Sequence, residues 1–505
     1  MKIMSRKTAF RIFLLLAFLG MVAAGIHFYW KWRTEEYKRQ LEASGEKLLV
    51  ADVVPPATPP AENGAALFRQ AAALLNPDPR VLERNPPVAM NPVTPGKAMV
   101  GWAQPGVRNE ADHSTNSWKE IEESLAKENG ALKLFQQIID RPSLNFDLNY
   151  DPRLEKTQST HLERLRKAVQ RLAAAALCDL HRGDPASAAI DLRAILALIK
   201  GTQDERLAIT QRFRMTIAGI AMATTWELLQ SPHATEAELV EVQHAWMQVE
   251  FREAAENALA MERAMSEAAI GGSRKSRLNQ RLDFITGQTA DWTGRLELQG
   301  RQLAWRFWWS YPDELQSLKG YQVLLQNLRF VQTNYAFRAT LFAQRSQLAE
   351  LGINTLTRAA WWEAGALNEN LRTIFSRSVQ TFSADLDELE KAEIARQMAL
   401  SALAVKRYQL RHAAYPPELA ALVPEFLPSV PRDPVDGKPL RYQSIGKTFL
   451  LYSVGNDGVD NGGDPAPAPP SESADWMNGR DYVWPSPATD QEIQAYEKRL
   501  LIRPH

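Results

Sequence analysis

The stretch ALCDLHRGDPASAAIDLRAIL, Ala176 to Leu196, reads as two helices and the turn between them. Gly183 supplies a residue that tolerates left-handed backbone angles and so ends the first helix. Asp184 is an N-cap acceptor for the second, and Pro185 fits its first position, where a missing N–H costs nothing. The flanking apolar residues have helical spacing. Leu162, Leu165, Val169, Leu172 and Ala176 form one stripe, and Ala188, Leu192, Ile195 and Ile199 form the other. Together they predict a helical hairpin.

The same spacing recurs on both sides of it. Trp118, Ile121, Leu125, Leu132, Phe135 and Ile138 predict a helix that stops at Asp140-Arg141-Pro142. Phe213, Ile217, Ile220, Thr224 and Leu228 predict another, and Thr235 with Glu238 forms a capping box ahead of Leu239, Val242, Trp246 and Val249. Further helices are expected over residues 316–345, 360–376 and 384–412. The hairpin is similar to a tetratricopeptide-type unit, although no repeat of about 34 residues recurs. The segment LAWRFWWSYPDE, Leu303 to Glu314, carries three tryptophans, and its expected place is the core beneath a helix crossover.

The chain has 505 residues, enough for several packed units. Lysine plus arginine and aspartate plus glutamate are both 59, so the formal net charge is zero, which argues against nucleic-acid binding. The single cysteine, Cys178, excludes an intrachain disulfide and a cysteine metal cluster. After Lys2, Arg6, Lys7 and Arg11 comes the apolar run Ile12 to Trp30, followed by Lys31, Trp32 and Arg33. Nineteen residues match a hydrocarbon core of about 30 Å, and Phe28, Tyr29, Trp30 and Trp32 have the character of an interfacial belt. A cleaved signal peptide is the competing reading, with Val22-Ala23-Ala24 as the cleavage site. The belt lies beyond that site, so an uncleaved anchor is expected, in the inner (cytoplasmic) membrane, with the bulk of the chain periplasmic. Residues 34–60, with VVPPATPP at Val53 to Pro60, suggest a stiff stalk.

Near the C-terminus, RYQSIG and KTFLLYSVG alternate with period two around Gly446, predicting a β-hairpin. The sequence then runs on as NDGVDNGGD. Asp457, Asp460 and Asp464 offer three carboxylates, and the adjoining glycines permit backbone angles that turn carbonyls inward, as a calcium loop requires. The spacing does not fit an EF-hand, and an ordinary solvated turn has the same composition.

Taken in order, RYQLRHAAYPPELAAL, VPRDPVDGKPLRYQS and FLLYSVGNDGVDNGG resemble the C-terminal part of the major pseudopilin of type II secretion. The resemblance spans about Ile394 to Gly463. It implies a structural Ca²⁺ held by Asp457, with Asp460 and Asp464 supplying the acidity of that loop. It further implies Asp481 as the acidic residue before the closing strand and the Val454 carbonyl as a backbone ligand. The N-terminal segment departs from the family, lacking its processing sequence and its characteristic glutamate, and some 350 helical residues intervene. A fibre-forming subunit is therefore not expected.

Chemical signatures are sparse. Neither a Gly-x-Ser-x-Gly elbow, nor a phosphate loop, nor zinc-hydrolase histidine spacing occurs. His161 and His181 fall at expected helix ends, the run Ser273 to Arg281 reads as a basic solvated segment, and Glu253, Glu256 and Glu262 as surface carboxylates. The expected class is mainly α: an N-terminal transmembrane helix (1–33), a stalk and proline-rich region (34–115), a helical hairpin or bundle body (116–382), and a long helix with a small antiparallel β-module of pseudopilin-like type (383–505). The expected function is a non-enzymatic envelope scaffold that binds a protein partner. The alternative is an envelope hydrolase with a site in the helical body.

Overall fold

The structure, a computed structural model, describes residues 6–75, 81–82, 86–108, 115–150, 160–275, 300, 303–353, 375–455, 457–467 and 476–502. It is mainly helical, with three small sheets. The elements before the central hairpin are α1 (Arg6–Ala43), α2 (Val50–Val53), α3 (Ala65–Ala73), β1 (Asn91–Thr94), β2 (Lys97–Met99), β3 (Val107–Arg108), β4 (Thr115–Asn116), α4 (Trp118–Lys127) and α5 (Asn129–Gln136). The body continues with α6 (Thr160–His181), α7 (Pro185–Gly201), α8 (Ala208–Gln230), α9 (Glu236–Met247), α10 (Arg252–Lys275), α11 (Ser310–Asn334), α12 (Phe337–Glu350), α13 (Ser376–Ser383) and α14 (Asp385–His412). The C-terminal part adds β5 (Arg441–Ile445), β6 (Thr448–Val454), β7 (Asp481–Val483), β8 (Ser486–Pro487) and α15 (Asp490–Ile502).

The hairpin α6–α7 forms as its punctuation requires. Gly183 sits at φ +78°, and Asp184 Oδ1 accepts from the Ser187 N–H at 3.1 Å with Pro185 at the head of α7. Its stripes are buried together with those of α8, α9 and α14 in one continuous core. The Thr235–Glu238 capping box opens α9. The helix expected over Trp118 to Ile138 is instead broken at Glu128. That carboxylate turns inward to accept from Arg171 Nε at 2.9 Å, both side chains being buried. The helix expected over 360–376 lies outside the described residues except for its last two. The basic segment from Ser273 likewise lies outside them beyond Lys275.

Residues 34–53 are packed where a free stalk was expected. Helix α1 runs unbroken to Ala43, Leu41 and Leu48 bury against Leu318, and Val53 joins Tyr150, Leu207 and Met261. Glu46 accepts from Arg263 Nη2 at 2.8 Å and Gln322 Nε2 at 3.0 Å, and pairs with Arg329. These partners lie more than 200 residues away, so local composition gives no sign of them.

The expected β-hairpin is present, with Ile445 opposite Thr448 across a turn at Gly446 (φ +60°), and β7 extends it to an antiparallel sheet ordered β5-β6-β7. Strand β8 pairs in parallel with β2, Lys97 opposite Ser486, which brings the proline-rich region against the C-terminal segment. Residues 432–435 fasten the sheet to the body at the junction of α11 and α12. Pro434 and Val435 carbonyls accept from the Phe337 and Arg338 N–H groups at 3.0 and 3.2 Å. Arg432 donates to the Thr333 and Asn334 carbonyls at 3.3 and 3.1 Å. One loop therefore satisfies the free groups of two helix ends.

Candidate functional site

The acidic loop is built on β6 and β7. At Gly455 the backbone passes so close to Arg480 that a Cβ would lie 1.9 Å from the Arg480 carbonyl oxygen, so only glycine fits there. Gly462 and Gly463 follow with φ +71° and +81°. Successive residues in this conformation aim N–H groups at one point. The point is Asp481: its carboxylate accepts from the N–H groups of Asn461 (3.1 Å), Gly463 (2.7 Å) and Asp464 (3.1 Å). Asp481 is buried, and burial pushes its carboxyl up from the ordinary value against the pull of those three donors. The glycines thus turn N–H groups inward, where the sequence reading had carbonyls.

The other expected ligands are also taken by protein donors. Asp457 is exposed and accepts from the Val459 N–H at 2.9 Å and from Asn461 Nδ2 at 3.1 Å. Asp460 accepts from the Tyr452 hydroxyl at 2.9 Å, the Gly462 N–H at 3.0 Å and Arg441 Nε at 3.3 Å. The Gly462 N–H, foremost, holds the Asp460 carboxyl below its ordinary value. Asp464 accepts from the Ala466 N–H at 3.0 Å and from Arg480 Nη1 at 3.2 Å. Val454 is paired opposite Asp481 in the sheet, and its carbonyl accepts from Ser453 Oγ at 3.1 Å. Among the described residues no three histidine, cysteine, aspartate or glutamate side chains converge as a metal-ligand group. In this arrangement the five residues do not fit a calcium cage, which needs six to eight converging oxygens.

A second polar centre lies beneath the loop, and sequence reasoning passed over it. Asp433 is fully buried and accepts from Ser453 Oγ (2.7 Å), the Val454 N–H (2.9 Å), the Val435 N–H (3.0 Å) and Arg441 Nη1 (2.7 Å). Burial pushes its carboxyl up to about 6, against the pull of those donors. Arg441 also binds Asp436 through both terminal nitrogens, at 3.1 and 2.6 Å, and so joins the DPVDG turn, the sheet and the acidic loop. The signal was an Asp-Pro-x-Asp-Gly turn followed by an arginine at the head of a strand.

The other functional feature is the joint between α1 and the body. Among the described residues α1 alone is long and apolar enough to cross a membrane, and none of its apolar stretch is buried. From His27 onward one face packs. His27 Nδ1 lies 2.9 Å from the Phe307 carbonyl, which accepts from it, and Thr34 Oγ1 donates to the Tyr311 carbonyl at 3.1 Å. Lys38 pairs with Glu267 at 2.7 Å and with Glu314, which also binds Arg274. The order 27–307, 34–311, 38–314 makes α11 run parallel to α1.

Among the described residues a cavity to consider for catalysis lies between α8, α10, α11 and α14. Its floor is apolar, its polar groups are Gln211, Arg212, Gln344 and Asp385, and Arg212 is paired to Asp385. Its lining contains no serine, cysteine or histidine. His161 is engaged by Glu205 at 3.0 Å, and His181 by the Trp102 carbonyl at 2.8 Å.

Comparison of the chain with protein-family models, with curated proteins and with solved structures found no match in any of the three.

Proposed function

We propose that this chain is a non-enzymatic scaffold of the bacterial cell envelope, anchored in the inner membrane by α1 with its bulk in the periplasm. It presents a helical platform and a pseudopilin-like β-module to a protein partner of a type II secretion-like assembly. The observation that carries the reading is the continuity of α1. One helix is lipid-compatible over its first half and packed against the body along one face of its second, so the platform is held to the membrane by a stiff arm. The fastening of the module at the α11–α12 junction supports the same reading, because it makes module and platform one surface. Crosslinking intact cells and purifying the chain from washed membranes should recover a discrete partner. Recovery of the chain alone, repeatedly, would overturn the proposal.

Calcium at the terminal loop is a separate proposal that rests on the pseudopilin resemblance. Entry of the ion requires Arg441 and Arg480 to leave Asp460 and Asp464. A rise in thermal midpoint with millimolar calcium, not reproduced by magnesium and abolished by Asp457→Ala, is the result that supports it.

A further inference from the structure

Outside α1, a short π-helical turn, Trp305–Trp309, splits its aromatic residues between two environments. Trp305 is buried and donates from Nε1 to Asp313 Oδ2 at 2.9 Å. Phe307 and Trp308 point the other way, 58% and 50% exposed, with Leu303 beside them at 37%. The expectation that this cluster is core therefore holds for Trp305 and fails for Phe307 and Trp308. The wide turn presents neighbouring side chains to opposite sides.

The place of these side chains along α1 gives them a role. The Phe307 carbonyl meets His27, within the last turn of the apolar run, where Phe28, Tyr29 and Trp32 are themselves exposed. Helix α11 begins directly after the turn and runs parallel to α1, away from the apolar end. Its 25 residues carry the chain about 37 Å from that level. Among the described residues the turn is thus the part of the body at the depth of the aromatic belt, and Arg306, Lys31 and Arg33 add positive charge there. Tryptophan and phenylalanine at headgroup level, flanked by basic residues, are the composition of a membrane-interface element.

We propose that Leu303, Phe307 and Trp308 form a second bilayer contact, seated among lipid headgroups beside α1, so that the body is oriented on the membrane as well as tethered to it. The inference rests on the reading of α1 as a membrane anchor. With two contacts the platform cannot swivel about α1, and the β-module is held at a set height and azimuth.

Site-directed fluorescence on the full chain tests this. Cys178 is buried and its thiol is pushed up to about 12, chiefly by burial, so the native chain is nearly silent to thiol labelling. Single variants Phe28→Cys, Phe307→Cys, Trp308→Cys and, at the far end, Phe342→Cys are labelled with an environment-sensitive dye. They are reconstituted in phosphatidylethanolamine–phosphatidylglycerol vesicles containing headgroup-nitroxide lipid, after melting curves confirm the native fold. The expected result is quenching at 307 and 308 as strong as at 28, and none at 342. Quenching at 28 with water-like emission at 307 and 308 overturns the second contact and leaves the anchor. Blue-shifted but unquenched emission at 307 and 308 means that protein covers the turn, which also overturns it. Absence of quenching at 28 removes the anchor and this inference with it.

Discussion

Replacing Asp481 with alanine removes the acceptor around which the acidic loop closes. Three N–H groups lose their partner: Asn461, Gly463 and Asp464, at 3.1, 2.7 and 3.1 Å. A hydrogen bond to a charged acceptor contributes about 1.5–3 kcal/mol. The loop is partly open to solvent, so water can replace some of each bond, and about 1 kcal/mol apiece is the reasonable share. The sum, about 3 kcal/mol, shifts the opening equilibrium of the loop by about 150-fold. Hydrogen–deuterium exchange read by mass spectrometry on peptides covering 457–467 measures this directly, because the amides in question are themselves the probes. Asp481→Asn keeps one carbonyl acceptor and should accelerate exchange by about tenfold, close to half the energy. The comparison is made in chelator, where the N–H donors alone close the loop on Asp481. Wild-type exchange rates in Asp481→Ala would refute the reasoning. A loss seen only in calcium would show that an ion organises the loop.

Burial raises several carboxyls of the body: Asp191 to about 8, Glu227 and Glu390 to about 7, and Asp385 to about 6. Ordinary values are 3.8 and 4.5. The folded chain therefore binds more protons than the unfolded chain in that window, and the stability this adds is lost as pH rises through about 6 to 8. The thermal midpoint should be higher at about pH 5.5 than at about pH 8.5, and the reverse order would contradict the assignment. Lys38→Met leaves Glu267 and Glu314 buried with Arg274 as the remaining cation and should cost about 2 kcal/mol in chemical denaturation. An unchanged midpoint would show that the joint is not held by this cluster. Gly455→Ala forces a Cβ onto the Arg480 carbonyl and should cost about 1–3 kcal/mol, read as lost protection in β6 and β7.

What the sequence disclosed depended on range. The hairpin at Gly183, Asp184 and Pro185, the capping box at Thr235 and the turn at Gly446 are local, and each formed where its residues placed it. The break at Glu128 depends on Arg171, and the packing of residues 34–53 depends on Arg263, Glu267 and Glu314. Those pairings have no periodicity to read. Strands of two or three residues, such as β2 and β8, likewise have no alternation to detect. At the acidic loop the composition was legible and its polarity was not. Glycines at positive φ present either carbonyls or N–H groups inward, and the choice fell to Asp481, seventeen residues beyond Asp464.

The most direct test of the anchored-platform account is alkaline carbonate extraction of membranes, with peptide mapping of the N-terminus of the retained chain. The account predicts that the chain stays in the pellet and yields peptides covering the Ile12–Trp30 run. A chain released to the supernatant, with its first residue at Gly25, would contradict it.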